Sequence, residues 1–432
     1  MNILTHDIHI RRLASRTKGR SGRLHVVTVG AGIIGLAVAY HLRLVGAEVT
    51  IVDSDPEGDK ASSGNAGGIA TTEVIPASAP GVFWRAFQWM LDPLGPVSVR
   101  PTHIPRLAPW LVRFANASSR TEGRRIATAL SALNGRVYDD LLPMLKDAGR
   151  ATDLHRRGAL TVYSTGKGFH ADRHEWSGKQ ELGVVCEHLS GDEARAMEPA
   201  LGPLVQSAVF TPQWSHVSDP NRILSGLRTW LTKRDVAFVR GDVRGVALGP
   251  LTLELSDGGR VSPDAVVVAG GAWSGALARM FGDRISLESE RGYNTTITNP
   301  NTSLSREIIF AEHKFVATPL DCGLRIGGAA EFGGLNAAPN WKRSLNLVAL
   351  AQRFLPDLRP DGATVWSGHR PATPDSLPVI GRSKHHANVF YAFGHGHLGL
   401  TQAATTGRLI AELVQDRKTS VDITPFSIER FG

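Results

Sequence analysis

Residues 24–53 read LHVVTVGAGIIGLAVAYHLRLVGAEVTIVD, and their order decides the fold. Leu24–Val29 is a short β-branched run, Gly30-Ala31-Gly32-Ile33-Ile34-Gly35 follows without a gap, and Ile33–Val45 is almost wholly apolar up to Gly46. This pattern predicts a strand, a tight turn and a helix that glycine stops. Ala47–Val52 is a second β-rich run that ends on Asp53, eighteen residues beyond Gly35. In such a βαβ unit each glycine has its own mechanical role. Gly30 makes the sharp turn, Gly32 lets backbone N–H groups approach a pyrophosphate, and Gly35 lets the helix pack closely on the sheet. The diphosphate would sit on the helix N-terminus at Ile33 and Ile34, and Asp53 would accept a hydrogen bond from a ribose 2′-hydroxyl. A GxGxxG string alone is weak evidence. With strand, helix, second strand and acid in register, a dinucleotide site is the expectation.

Outward from this unit, a chain of 432 residues predicts two domains interleaved in sequence. With 42% hydrophobic and 20% charged residues it has a globular composition. Two cysteines, Cys186 and Cys322, cannot build a disulfide framework, which fits a reducing, cytoplasmic compartment; Cys322 reads as a small buried residue. The formal charge of +8 raises nucleic acid and anionic membranes as partners. Much of that excess lies in RRLASRTKGRSGR and in arginine-rich helices, and no nucleic-acid-binding signature accompanies it, so no nucleic acid partner is expected. No apolar run reaches the eighteen or so residues of a membrane span. Residues 1–22 lack the apolar core of a secretory signal and read as a basic, disordered extension. Peripheral contact with the inner membrane face and homo- or hetero-oligomerisation stay open. His385-His386 and the His395/His397 pair lack acids or cysteines at ligand spacing, so no metal is expected.

After Asp53 comes a loop of small residues containing Ser62-Ser63-Gly64-Asn65-Ala66-Gly67-Gly68, either a flexible surface loop or backbone that passes close to a ligand. Residues 77–212 read as mixed α+β, with a long helix over Arg124–Ala148 and a strand in Arg157–Tyr163. Asp219-Pro220 opens a helix with one buried face. Ala265–Ala269 is a fully apolar strand that runs into Gly270-Gly271, a second glycine turn at a carboxyl edge of the sheet. Residues 283–365 are strand-rich, with a helix over Lys342–Phe354. Trp366–Gly381 reads as a proline-punctuated loop, Val389–Phe393 as a strand, Gly394–Thr401 as a glycine turn and Gln402–Val414 as a helix. The two distant glycine turns are expected to serve one cofactor.

Together, GAGIIG with Asp53, SSGNAGGI, AVVVAGGAWSG, RGYNTT, SGHRPATPDSLPVIG and FGHGHLGLTQAATTGRLIAEL resemble the D-amino-acid oxidase/dehydrogenase superfamily of FAD enzymes, in the branch formed by the small subunits of D-amino-acid dehydrogenases. RGYNTT, PDSLPVIGRS and YAFGHGHLGLTQ are most similar to D-hydroxyproline or D-proline dehydrogenases, and the resemblance runs from about Leu24 to Leu413. It implies an α/β plus α+β architecture: a Rossmann-type FAD-binding domain (residues 23–76, 213–282 and 366–420) interleaved with a substrate domain built on a large antiparallel sheet (77–212 and 283–365). It implies that Ser62, Ser63, Asn65, Ala66, Gly67 and Gly68 run beside the flavin and its ribityl chain. Val243 would contact adenine through its backbone, and Ala269, Gly270 and Gly271 would line the cofactor. Gly394, His395, Gly396, Leu398, Gly399, Leu400 and Thr401 would place N–H groups and a helix N-terminus at the pyrimidine edge of the isoalloxazine.

The implied chemistry is oxidation of a D-amino or D-imino acid by transfer of the α-hydrogen as hydride to flavin N5, giving an imine. Electrons would then pass to a quinone or carrier rather than to oxygen. Arg370, in GHRPAT, matches the family's GxRPxT arginine, a bidentate fork suited to a carboxylate, though a salt-bridged arginine fits the residues equally. Many relatives carry a second arginine where this sequence has Pro319, so Arg291, His313 or Lys314 would have to take that part, or the substrate is not a simple amino acid. Tyr293 is a candidate to bond the carboxylate through its phenol, against a strand tyrosine with a satisfied hydroxyl. His395 is a candidate to tune the flavin or accept a proton, against a ring that only packs. The alternatives are a glycine/sarcosine-type amine oxidase that releases peroxide, a flavin-bearing electron-transfer subunit of a hetero-oligomer, and an NAD dehydrogenase, which leaves GHGHLGLT unexplained.

Overall fold

The first strand, His25–Val29, pairs in parallel with Glu48–Asp53 on one side and Ala265–Val268 on the other. The computed structural model describes residues 22–78 and 95–431. The extension expected over 1–22 therefore lies outside the described residues except for its last one, as does part of the 77–212 segment. Three further strands complete the sheet, in the order Ala237–Arg240, Glu48–Asp53, His25–Val29, Ala265–Val268, Val389–Phe393, Val379–Arg382, with only the last running antiparallel. The central strands are buried on both faces, as their unbroken apolar runs require.

Two long helices seal one face of this sheet. Ile33–Leu44, apolar almost throughout, crosses Gly399–Val414 at a point where a Cβ on Gly407 would overlap the Ala37 carbonyl. The helix Pro220–Thr232 starts on Asp219, whose carboxylate accepts from the Asn221 N–H, and it packs Trp230 against Tyr40 with ring centroids 4.6 Å apart. The C-terminal helix is thus locked onto the first helix of the chain.

A second, larger sheet of nine strands among the described residues has the order Asp361–Ala372, Glu288–Asn299, Gly323–Phe332, Phe315–Leu320, Glu307–Phe310, Ala159–Tyr163, Ser207–Thr211, Glu187–Ser190, with Val97–Val99 beside Gly323–Phe332. It is antiparallel except where Glu307–Phe310 meets Ala159–Tyr163 and where Val97–Val99 pairs. One face buries Tyr293, Ile297, Phe315 and Ile326 against the helix Lys342–Phe354. The other looks toward the ends of the parallel sheet.

Two expectations are corrected. Residues 366–372 belong to the strand Asp361–Ala372, which pairs with Glu288–Asn299 from Ala372 to Asp361, so the boundary drawn between 365 and 366 falls inside a strand. An edge strand tolerates Pro371 and exposed polar residues, and such a composition reads as loop. The single helix over Arg124–Ala148 is two, Arg120–Asn134 and Val137–Asp147, broken at Gly135-Arg136.

Two helical glycines make opposite predictions. Alanine at an exposed helix position gains about 0.5–1 kcal/mol in propensity. Gly123→Ala, where a Cβ meets nothing, should raise Tm. Gly407→Ala should lower it, because overlap with the Ala37 backbone costs about 1–3 kcal/mol and outweighs that gain. Thermal unfolding of both variants decides.

Candidate active site

A cavity of about 1460 Å³ runs from Asp53 and Val243 at the carboxyl edge of the parallel sheet to the face of the large sheet. At the first end, Gly30 has φ +119° and a Cβ there would overlap the Ala269 carbonyl, while a Cβ on Gly35 would overlap the Gly30 carbonyl. Gly32 differs: its nearest neighbour in the Cβ direction is Ser62 Oγ at 3.7 Å, an ordinary contact, and it faces the cavity. The helix Ile33–Leu44 takes no cap from its own N-cap residue, Gly32, and has no acid in its first turn; the Ile33 N–H donates to Ser62 Oγ at 3.1 Å, and the positive helix end otherwise suits an anion. Asp53 is oriented by the Ala31 N–H at 2.7 Å, the Asp55 N–H at 2.9 Å and Lys60 at 2.8 Å.

The small-residue loop after Asp53 is carried over the large sheet by two side chains that the sequence did not single out. Arg325 donates to the carbonyls of Ser63 and Asn65, and Asn294 Nδ2 donates to that of Gly64 at 2.7 Å. Trp366 covers Gly64, where any Cβ would overlap its indole. The loop is therefore held through its carbonyls.

At the far end of the cavity lie Arg370, Glu290 and His397. Arg370 lies flat on Gly292, where a Cβ would overlap the guanidinium, and its Nη1 donates to Glu290 Oε1 at 2.9 Å and to the Ala329 carbonyl at 3.2 Å. His397, 62% exposed, places Nε2 2.9 Å from the same oxygen. Burial alone would push the Glu290 pKa up, but the charges and hydrogen bonds of His397 and Arg370 hold it down at about 2. A second acid behaves oppositely. Glu307, 2% exposed on the strand Glu307–Phe310, accepts from Trp214 Nε1 at 3.0 Å and lies against Gly68. Burial, with Glu73 nearby and only the indole N–H opposing, pushes its pKa up to about 8.

A family model described as FAD dependent oxidoreductase, DAO, matches residues 25–413. The chain belongs to the DAO family. It is 34% identical over 418 residues to a D-amino-acid oxidase of Bradyrhizobium diazoefficiens, covering 94% of this chain and 99% of that one. It is 31% identical over 426 residues to a D-amino acid dehydrogenase of Sinorhizobium medicae, covering 95% and 100%. Among solved structures, the glycine oxidase of Geobacillus kaustophilus matches with a TM-score of 0.72 at 23% identity, covering 94% of this chain and 98% of that one. The L-proline dehydrogenase of P. horikoshii matches at 0.67 and 19%, covering 95% and 98%. The expected architecture, a Rossmann-type FAD-binding domain with a substrate domain on a large sheet, is the DAO fold.

FAD is the cofactor of this family, and the residues present fit it: a helix start without an acid in its first turn, a glycine whose Cβ space opens on the cavity, and an acid at the end of the second strand. Gly30, Gly32, Ile33, Ile34, Asp53, Ser62, Asn65, Ala66, Gly68, Val243, Ala269, Gly270 and Gly271 line the cavity, as do Gly394, His395, Gly396, Leu398, Gly399 and Leu400. Gly35, Ser63, Gly67 and Thr401 do not line it. Gly35 packs on the Gly30 turn, the Ser63 carbonyl serves Arg325, Gly67 is packed on Leu320 and the Val217 carbonyl, and Thr401 Oγ1 accepts from the Ala70 N–H at 2.9 Å.

The other candidates separate on strand and turn geometry. Tyr293 borders the cavity but alternates with Glu290 and Asn294 along its strand; it is 1% exposed, and its phenol donates to Glu331 and accepts from the Asn340 N–H, so the hydroxyl is already committed. The His395 ring turns into the C-terminal helix, with Nε2 2.9 Å from Thr406 Oγ1, and burial lowers its pKa to about 3. It borders the cavity as a neutral ring, and the exposed imidazole of this turn is that of His397. Of the three side chains weighed against Pro319, Arg291 is buried beside His369, His313 packs on Phe354, and only Lys314 lines the cavity. Cys322, expected to be buried, is exposed. Among the described residues no group of His, Cys, Asp or Glu could hold a metal ion, and no helix is long and apolar enough to cross a membrane.

Gly32→Ala tests the cofactor end: its backbone (φ −73°, ψ 178°) suits alanine and the fold has room, so the variant should keep its Tm as apoprotein but lose FAD absorbance per chain. Glu307→Gln tests the buried acid. Folded Glu307 holds its proton up to about pH 8 whereas the unfolded chain releases it near 4.5, so the folded state binds more protons between these values and loses stability as pH rises. The wild type should fall relative to Glu307→Gln by up to about 1.4 kcal/mol per pH unit across that window, in unfolding titrations at pH 5 and 9.

Proposed function

We propose that this FAD-dependent oxidoreductase oxidises a D-amino or D-imino acid of the D-proline or hydroxy-D-proline kind, and that Arg370 binds the substrate carboxylate. The observation that carries this reading is the position of Arg370. It lies on the edge strand, immobilised over Gly292, with Nε and Nη2 free of protein partners among the described residues. Pro371 joins that strand to the Gly394–Leu400 turn, where the Gly396 N–H donates to its carbonyl at 3.0 Å, and Ala372 bridges to His395. A carboxylate held by the fork is thereby fixed relative to the turn that borders the flavin site. Lys314, on the same cavity, supplies a second cation where relatives carry an arginine and this chain has Pro319.

Bound FAD supplies the hydride acceptor, and the protein binds the carboxylate, orients Cα–H and excludes water. The D-amino acid class is supported by the two relatives aligned along nearly their whole lengths. The narrowing to cyclic imino acids rests on RGYNTT, PDSLPVIGRS and YAFGHGHLGLTQ. Electrons leave to a quinone or carrier.

The test is an anaerobic titration of the holoenzyme with D- and L-amino acids, including D-proline and cis-4-hydroxy-D-proline. Near-stoichiometric bleaching of the flavin band by one D-imino acid and not its L-isomer is expected, without peroxide in air. Bleaching by glycine or sarcosine with peroxide release would place the protein among amine oxidases, and a flavin that no member reduces would overturn the substrate assignment. Arg370→Ala should raise the substrate concentration that gives the half-maximal rate of bleaching on the order of 100-fold, and Arg370→Lys by less, since lysine keeps the charge but not the fork.

A further inference from the structure

The charge on Arg370 is not free to act alone. Glu290 lies directly beside it, on the same cavity-facing side of its strand as Gly292 and Asn294. A lone carboxylate docking on Arg370 would be repelled by this second carboxylate. The pairing is nevertheless one-sided. Glu290 Oε1 takes both bonds, from Arg370 Nη1 at 2.9 Å and from His397 Nε2 at 2.9 Å. Its Oε2 has no hydrogen-bond partner among the described residues, and neither have Nε and Nη2 of Arg370. Gly292 beneath the guanidinium prevents any rotation into the sheet, and the Ala329 carbonyl fixes it from the other side. The result is a rigid pair with an open acceptor and an open donor fork side by side.

We propose that Glu290 holds the substrate's amino group, so that Arg370 and Glu290 together recognise an α-amino acid as a zwitterion; this rests on the reading that Arg370 binds the substrate carboxylate. In an α-amino acid, carboxylate and ammonium hang from one carbon, so the two charges lie as close to each other as do those of the pair. The carboxylate takes the fork, the nitrogen donates to Oε2, and each protein charge meets its opposite. His397 has a positioning role: by occupying Oε1 it leaves Oε2 as the oxygen turned to the ligand. The clamp serves primary and secondary amines alike, since a protonated ring nitrogen still carries N–H. It also discriminates: a simple carboxylate of the same size brings one charge where the site offers two, and leaves Glu290 uncompensated.

The proposal is tested by binding, using two ligands that lack a Cα–H and cannot be oxidised: 2-aminoisobutyrate and pivalate, which differ only in an ammonium against a methyl. Affinities are measured calorimetrically on FAD-loaded wild type, Glu290→Gln and Glu290→Asp, with the flavin band as the check of folding. Wild type should prefer 2-aminoisobutyrate. Glu290→Gln should weaken 2-aminoisobutyrate about 10- to 100-fold, as expected for loss of a charged hydrogen bond, while pivalate binds as well or better. Glu290→Asp, which keeps the charge, should retain the preference for the amino acid. Equal weakening of both ligands by Glu290→Gln, or no change in either, overturns the clamp. Wild type that binds pivalate as tightly as 2-aminoisobutyrate also overturns it but leaves the Arg370 carboxylate site standing. Wild type that binds neither overturns the carboxylate site and the clamp with it.

Discussion

The rest of the structure depends on the close approach of three backbone segments at Gly30. The Gly30 N–H donates to the Val52 carbonyl, the Ala269 N–H to the Val29 carbonyl, and the Ala269 carbonyl fills the space a side chain on Gly30 would need. Gly35 then lets the first helix press on the same turn. These contacts bring the ends of three strands, two from the first βαβ unit and one, Ala265–Val268, from far later in the chain, to one point, and the helix that leaves it points its N-terminus at the cavity. The C-terminal helix is drawn into the same packing through Gly407 on Ala37, which carries the Gly394–Leu400 turn to the cavity's other side. The turns that frame the flavin site are thus consequences of packing between glycines and main-chain carbonyls.

The large sheet contributes through alternation. Along Glu288–Asn299, Glu290, Gly292 and Asn294 face the cavity, whereas Tyr293 and Thr295 face the helix Lys342–Phe354. Asn294 and, on the neighbouring strand, Arg325 use that face to hold the loop after Asp53 by its carbonyls. A loop of small residues, which has little of its own to bury, is thereby given a defined path. The binding face and the helix-packed face of the sheet are one strand read at odd and even positions.

This explains what was legible in the sequence. The βαβ unit was readable in full because periodicity, glycine spacing and the terminal acid are all local, and the helix Lys342–Phe354 and strand Val389–Phe393 have the expected bounds. Arg370 was legible as a residue but not as part of a strand, because an edge strand with polar side chains and a proline carries no apolar pattern. Tyr293 drew attention by its chemistry and does border the cavity, but its hydroxyl is taken by Glu331 and the Asn340 N–H, partners that no local pattern reveals. His395 and His397 share one glycine turn, where Gly394 and Gly396 both have positive φ, and no periodicity tells which ring faces out. Glu290 offered a signal that could have been used: two residues before Gly292, it shares the face of a strand whose partner carries Arg370.

The two buried acids show why residue type alone could not assign the chemistry. Glu290 and Glu307 line the same cavity on the same face of the same sheet, yet burial prevails on one and is overridden on the other. The difference is the company each keeps: a guanidinium and an imidazole for Glu290, a single indole N–H and a neighbouring carboxylate for Glu307. Four strand spacings, roughly 19 Å of sheet, separate the strand of Arg370 from that of Glu307. At that separation the two acids cannot act on one small chemical group. Glu307, pressed on Gly68, keeps its proton because burial and the neighbouring Glu73 both disfavour a second negative charge there.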